Sequence, residues 1–333
     1  MIESISRDRL VALLEAARGK RIAVIGDAML DVYLRGDVDR ISPEAPVPVV
    51  RVTERKLALG GAANVAQNIT AIGADCEMVC AVGDDAAGVT VRQMLHDVGA
   101  DTRSIVRVAR PTTTKTRVLA RAQQLVRYDE EEDGDMDGED MENLLASAMA
   151  AADRADALIF EDYNKGLLAA SVIVPAIERA RERKIPTVVD PKYRNFFAYR
   201  GATIFKPNRR ELESAFGADV DLEHSAALPA TFDRLGVEHL LLTLGEKGMA
   251  LISADGEIGR IPTTAREVYD VVGAGDTVTA YLGTMLAAGG TASEAAVIAN
   301  FAAGVEVGKL GAATVTPGEV TEAFDRFSES GAR

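Results

Sequence analysis

Apolar residues along this chain fall into two alternating rhythms. Short apolar runs end in polar or glycine-rich turns, and stretches with apolar positions three and four apart follow them. The runs read as strands buried on both faces, and the spaced stretches as helices packed against them. "RIAVIGD" (Arg21 to Asp27) opens the series, and after "LGG" helical spacing appears at Ala62, Val65, Ala66, Ile69 and Ile72. "MVCAVGDD" is the next strand, and Val91, Met94, Leu95 and Val98 mark a helix. "ALIFEDYNKG" leads to a helical face at Ile173, Ala176, Ile177 and Ala180, and "PTVVDPK", "ATIFKPN" with a short helix, and "EHLLLTLG" continue the alternation. "GMALISADGEIGRI" reads as a hairpin turning at Asp255-Gly256. Two helical patterns, from about Gly275 and about Ser293, close the chain. The expected fold is α/β, a doubly wound, mainly parallel sheet flanked by helices, with ligands taken at the C-terminal ends of the strands.

Two segments break the rhythm. Residues 31–52 and 103–128 are strand-rich without intervening helices. Each follows a βα unit, so together they are expected to form a small β-sheet lid over the site; a pair of surface hairpins is the plainer reading. Within the second, "TTTKTRVLAR" should set Lys115, Arg117 and Arg121 on one face of a strand of period two. The acidic run "DEEEDGDMDGED" spaces Asp133, Asp135, Asp137 and Gly138 like a calcium loop, but its twelfth position is Leu144, where a bidentate Glu is needed. It reads as a solvated loop leading into a helix.

Composition narrows the function. The 333 residues are 47% hydrophobic, enough for a sizeable core, and no run of about 18 apolar residues suggests a membrane span. The N-terminal segment is an amphipathic, charged helix pattern and not a signal peptide. Cys76 and Cys80 sit in an apolar run without zinc-type partners, as core thiols of a cytosolic protein would. A net charge of −14 disfavours a nucleic-acid or anionic-membrane partner. His96, His224 and His239 are scattered, and there is neither a P-loop nor a G-x-G-x-x-G after a strand.

What remains is a set of acids, amides and glycines at strand ends. In "VVGAGDTV", Gly273, Ala274 and Gly275 would bare backbone N–H groups at a helix start, a natural anion site. Asp276 brings a carboxylate there, either as a plain N-cap or facing the anion across a proton that must move. In "KPNRRELE", Asn208 and Glu211 are spaced to hold the water shell of Mg²⁺ or, more simply, to cap a helix. Thr243 and Gly245 supply a hydroxyl and a close-approach glycine at a later strand end.

"GGAANVAQN" and "DVVGAGDTVTAYL" together resemble the two signatures of the ribokinase-type (phosphofructokinase B) sugar kinases, over nearly the whole chain. "RISPEAPVPVV" with "KLALGGAANVAQN" is most similar to the heptose 7-phosphate kinases of that family. The resemblance implies ATP and Mg²⁺ as cofactors and phosphorylation of the anomeric hydroxyl of D-glycero-D-manno-heptose 7-phosphate, for ADP-heptose and lipopolysaccharide synthesis. It implies Asp276 as general base beside the Gly273-Ala274-Gly275 anion hole. Asn208 and Glu211 would serve the magnesium–phosphate network, Thr243 and Gly245 the nucleotide phosphates, and Asn300 the adenine. Asp27, Gly60, Gly61 and Asn64 match positions that hold sugar hydroxyls. Val271 and Val272 stand where the family often has Thr, which puts a monovalent-cation site near Asp270 in doubt. The acceptor's own phosphate is assigned to Arg117 and Lys192, with Lys115 assisting. Lids in related kinases pair across a dimer, so a homodimer through the lid is expected. The chain ends about 20 residues past the last helical pattern, which implies a single kinase domain over 1–333 without a C-terminal nucleotidyltransferase domain. Another sugar or nucleoside kinase of this fold, or a catalytically silent sensor, remains the alternative.

Overall fold

The computed structural model describes residues 5–121, 123–219, 228–265 and 268–331; His224 lies outside them. Helix α1 (Arg7–Ala16) precedes β1 (Arg21–Gly26), and β2 (Ala28–Ile41) with β3 (Pro48–Gly61) forms a long hairpin. Then come α2 (Ala62–Ile72), β4 (Asp75–Gly83), α3 (Ala86–Asp97), β5 (Ile105–Val108), β6 (Thr114–Ala120) and β7 (Gln123–Glu130). The middle of the chain holds α4 (Gly138–Ala152), β8 (Ala157–Glu161), α5 (Ala170–Arg183), β9 (Thr187–Asp190), β10 (Ile204–Phe205) and α6 (Arg209–Phe216). After α7 (Leu228–Leu235) come β11 (His239–Thr243), β12 (Met249–Ser253) and β13 (Ile258–Ile261), then α8 (Ala274–Ala287), α9 (Ala292–Glu306) and α10 (Pro317–Gly331).

The main sheet has the order β13-β12-β11-β10-β9-β8-β1-β4-β5, parallel from β11 through β5, with β12 and β13 added antiparallel at one edge. Both faces are covered, so Ile22, Val24, Leu158, Ile159, Val188 and Val189 are all fully buried, as continuous apolar runs require. The doubly wound fold read from the sequence is the fold observed. Helix α8 lies close on the sheet: a Cβ on Gly283 would come within 2.6 Å of Ile159, so the glycine sets that approach. This seats the N-terminus of α8 over the C-terminal ends of β8 and β9. Cys76 and Cys80 are buried, free thiols. Among the described residues no helix is long and apolar enough to cross a membrane.

The second sheet, β3-β2-β6-β7, is the lid. Its composition differs from the sequence expectation in three ways. It begins at Ala28, directly after Asp27, and β3 runs to Gly61, so the hairpin carries its own base into the site. The short β5 leaves the lid and pairs parallel with β4, Cys80 opposite Ile105, because its apolar residues extend the main sheet edge. Arg121 is not on the strand face. Ala120 and Gln123 face each other across the hairpin, and Arg121 sits at the turn with φ +54°.

The segment past the second closing helix is a third helix, α10, which the periodicity reading left as a tail. Phe324 and Phe327 meet Phe301 of α9 edge-on at 5.3 and 5.6 Å, and Asp325 pairs with Arg7 of α1 at 2.8 Å. Helix α7 was missed as well; Phe232 and Leu235 bury its inner face.

Candidate active site

The lid hairpin leaves the main sheet at Asp27 and returns at Gly61 straight into α2. Ala28 pairs with Gly61 and Met29 with Gly60, and the Ala62 N–H donates to the Asp27 carbonyl at 3.1 Å. Gly61 has φ +57°, and a Cβ on Gly60 would fall 2.7 Å from an Asp31 carboxylate oxygen, so neither site accepts a side chain. This closure gathers Asp27, Gly60, Gly61 and Asn64 at one spot. The Asp27 carboxylate accepts the backbone N–H groups of Tyr163 and Lys165 at 2.8 and 3.1 Å. Burial, with Asp162 nearby, pushes its pKa up to about 6.

Asp276 faces this cluster from the opposite side. The N-cap of α8 is Gly273, at φ +96° and with no side-chain cap, and a Cβ there would crowd Asn64 and Ala312. Asp276 therefore lies inside the first turn, and the plain N-cap reading does not describe it. Asn64 donates to Asp276 Oδ2 at 2.6 Å, and the Tyr163 hydroxyl donates to Oδ1 at 3.0 Å. Asp276 is 7% exposed. Burial raises its pKa to about 6, Asp190 adds to the rise, and the hydrogen bonds from Asn64 and Tyr163 oppose it.

Charged side chains surround the carboxylate. Lys206, fully enclosed after β10, pairs with Asp190 at 2.7 Å, and its pKa is raised because Asp190 and Glu161 outweigh the opposing effect of burial. Glu161 is completely buried with no hydrogen-bond partner at either oxygen; burial first, then Asp190 and Asp276, raise its pKa well above the usual range. Lys192 bonds Glu211 at 2.5 Å and lies over the Tyr163 ring at 5.4 Å. Lys115 lies over the same ring at 5.2 Å and makes no ion pair among the described residues; burial lowers its pKa. Arg117 is committed elsewhere: its guanidinium pairs with buried Asp31 at 2.6 Å and sits over Tyr33 at 5.2 Å. Of the three cations assigned to a phosphate, Lys115 alone lacks a carboxylate partner.

On the other side of the α8 N-terminus opens a cavity of about 470 Å³, lined in part by Thr243, Gly245, Val271, Ala274, Gly275 and Asn300. Asn300 also donates to the Pro262 carbonyl at 2.9 Å. Asn208 bridges to Thr243 at the cavity's sheet edge, and with Glu211 it forms a complete capping box on α6. The simpler reading of that pair is thus realised. Among the described residues no group of three or more His, Cys, Asp or Glu could hold a metal by itself. One carboxylate and one amide beside the cavity suit an Mg²⁺ held mainly by phosphate and water. Asp270 accepts the Val272 and Gly311 N–H groups at 3.0 and 3.1 Å. A larger cavity, about 570 Å³, lies beyond Asn300 among Phe301, Phe324 and Phe327 and reaches none of the groups around Asp276.

Residues 20–318 match the family model described as pfkB family carbohydrate kinase. This chain belongs to that family. As a pfkB carbohydrate kinase it is 42% identical over 306 residues to the bifunctional protein HldE of Rhodospirillum rubrum, covering 91% of this chain and 62% of that protein. It is 44% identical over 317 residues to the HldE of Geotalea uraniireducens, covering 94% of this chain and 65% of that one. The chain thus spans just under two thirds of the length of these relatives. Among solved structures it is similar to Escherichia coli phosphofructokinase-2 in its tetrameric inhibited form (TM-score 0.76, 17% identity, 93% and 99% of the two chains). Arabidopsis thaliana ribokinase, solved with ribose and ATP, is similar at TM-score 0.71 and 20% identity, over 92% and 98%.

Four residues grouped around Asp276 carry no motif and escaped the sequence reading as candidate site residues: Glu161, Tyr163, Asp190 and Lys206. One signal could have found them. Each stands at or within two residues of the C-terminal end of an apolar parallel strand, where such folds bind ligands.

Proposed function

We propose that this chain is an ATP- and Mg²⁺-dependent kinase that phosphorylates the anomeric hydroxyl of D-glycero-D-manno-heptose 7-phosphate, giving the 1,7-bisphosphate for ADP-heptose and lipopolysaccharide core synthesis. The observation that carries the chemistry is Asp276: a buried carboxylate in the first turn of α8, held by Asn64 of α2 and next in sequence to Gly275, which lines the cavity. ATP would occupy the cavity lined by Thr243, Gly245 and Asn300, with Mg²⁺ near Asn208 and Glu211; bound there, the ion neutralises phosphate charge. Asp276 takes the proton of the attacking hydroxyl while the first-turn N–H groups of α8 and Lys206 face the charge that develops on the transferred group. Asp27, Gly60, Gly61 and Asn64 line the acceptor side.

The heptose assignment is supported by the motifs resembling heptose 7-phosphate kinases and by the 42–44% identity to proteins named HldE. Lys115 is the cation best suited to the acceptor's phosphate, because it is half-enclosed and has no ion-pair partner among the described residues. The lid's exposed apolar side chains, Ile41, Val47, Val52, Val126 and Tyr128, support its being covered by a second copy of the chain. A cytoplasmic enzyme fits these substrates. The test is a panel of sugar 7-, 6- and 1-phosphates with ATP, the products read by mass and NMR. Turnover of a different acceptor and none of the heptose would replace the substrate; no turnover of any would favour a sensor.

A further inference from the structure

We infer that the Tyr163 hydroxyl positions the base: it fixes one oxygen of Asp276 and ties it to the loop that holds Asp27. The inference rests on the reading of Asp276 as the base. Tyr163 stands two residues past β8 and has three engagements at once. Its N–H holds the Asp27 carboxylate at 2.8 Å, its hydroxyl holds Asp276 Oδ1 at 3.0 Å, and its ring underlies Lys115 and Lys192. The ring also packs where a Cβ on Gly61 would come within 3.4 Å, so the lid hinge and the tyrosine fit each other.

The chemistry of the bond follows from lone pairs. Each carboxylate oxygen accepts two hydrogen bonds. Asn64 takes one site on Oδ2 and Tyr163 one on Oδ1, which leaves one on each for a substrate hydroxyl. With Asn64 alone the carboxylate can turn about its Cβ–Cγ bond. With both it is clamped. Toward the carboxylate the phenol is the donor and keeps its proton, since burial first and then Asp276 and Glu161 raise its pKa well above the usual range. The other charged groups that act on Asp276 are Asp190 of β9, Lys206 after β10, Glu161 of β8 and Glu306 of α9. None is touched by removing one hydroxyl.

A core tyrosine that merely parks its hydroxyl on an acceptor would behave differently under substitution. Tyr163→Phe keeps the ring beneath both lysines and removes only the clamp; Tyr163→Leu removes both. In full-length protein labelled with ¹³C-aspartate, the Asp276 carboxyl resonance, assigned by its loss in Asp276→Asn, should titrate at higher pH in Tyr163→Phe. With the acceptor that the wild type phosphorylates, kcat should fall roughly tenfold near neutral pH, the size of one charged hydrogen bond. KM for ATP should hold, and the deficit should narrow as pH rises. Tyr163→Leu should add a rise in KM for a phosphorylated acceptor, which Tyr163→Phe should not. An unmoved Asp276 titration overturns the inference, and so does a Phe variant that loses KM and kcat together as Leu does. If the wild type phosphorylates no sugar, the base reading fails, and the NMR midpoint still decides whether Tyr163 holds Asp276.

Discussion

Replacing Asp276 by Asn separates catalysis from stability in a way that no capping role can. The amide is nearly isosteric and fits the existing bonds. Its oxygen can accept from Asn64, and its NH₂ can donate to the Tyr163 oxygen, since a phenol is both donor and acceptor. What is lost is the proton acceptor, typically worth about 10²–10⁴ in rate, or roughly 3–5 kcal/mol of barrier. What is gained is relief from burying a charge. The Asp276 pKa stands at about 6 in the fold against 3.8 when unperturbed. A folded pKa above the unfolded one means a contribution fully present below the unfolded value and lost as pH rises through the folded one. Ionised Asp276 therefore costs the native state on the order of 3 kcal/mol at pH 7.5. Asp276→Asn should be nearly inactive, bind ATP as the wild type does, and unfold no more easily at pH 7.5, with any advantage gone by pH 4. Coupled-assay kinetics and urea unfolding at the two pH values measure this. A variant that keeps its rate within tenfold but loses more than about 1 kcal/mol of stability would be behaving as a lost cap and would refute the argument.

Three further outcomes follow from the same geometry. Arg117→Ala should destabilise the protein by about 3–5 kcal/mol, because it leaves Asp31 buried and unpaired, whereas Lys115→Ala should unfold like wild type and weaken heptose 7-phosphate binding by about 1.5–3 kcal/mol; calorimetry of each variant separates the two, and equal stability losses would contradict the pairing. Glu306 is fully buried with neither oxygen bonded, and burial, then Asp270 and Asp276, push its pKa to about 8. Its contribution is fully present below the unfolded value of 4.5 and lost as pH rises through about 8, so Glu306→Gln should gain about 2–4 kcal/mol at pH 9, roughly half of that at pH 6 and little at pH 4, and a gain independent of pH would discount the charge. Ile41→Asp with Tyr128→Asp should turn a lid-paired dimer into monomers in the ultracentrifuge, and a wild-type monomer at working concentration would remove the dimer.

The main sheet was legible because strands buried on both faces leave continuous apolar runs, and β1, β4, β8, β9 and β11 each end in a polar turn that marks the ligand side. Gly273 at the α8 start and the glycines of "LGG" were legible because positive φ and close approach admit nothing else there. Elements that depend on partners were not. The four residues of β5 carry no sign of which sheet they join, and α10 becomes a helix face only once Phe301 is there to meet Phe324 and Phe327. The same limit applied to charges. Period two set Lys115 and Arg117 on one face, but that Arg117 answers Asp31, 86 positions away, is a property of the β2–β6 register and not of spacing.

That distinction bears on how a chain of net charge −14 could draw two anionic substrates to one site. Counted formally, Asp27, Glu161, Asp190 and Asp276 outnumber Lys192 and Lys206 around the base, and the site should repel phosphate. Burial changes the count. Burial pushes Glu161 well above the usual carboxylate range and toward its neutral form, and lifts Asp27 and Asp276 to about 6, while Lys192 and Lys206 are raised as well and so stay charged. Glu161 is thus the acid that yields first, Asp27 and Asp276 give up their charge only as pH falls toward 6, and the cations are fixed. The negative charge around the base is thereby reduced below its formal count, because desolvation penalises unpaired carboxylates, while Lys206 and Lys192 keep theirs at 2.7 and 2.5 Å. Glu161→Gln should then leave KM for ATP nearly unchanged at pH 7, since it replaces one neutral group by another, whereas Lys206→Met should raise it. A marked fall in KM for ATP on Glu161→Gln would mean that Glu161 carries a charge at neutral pH, and the site would have to attract phosphate by its lysines against four ionised acids.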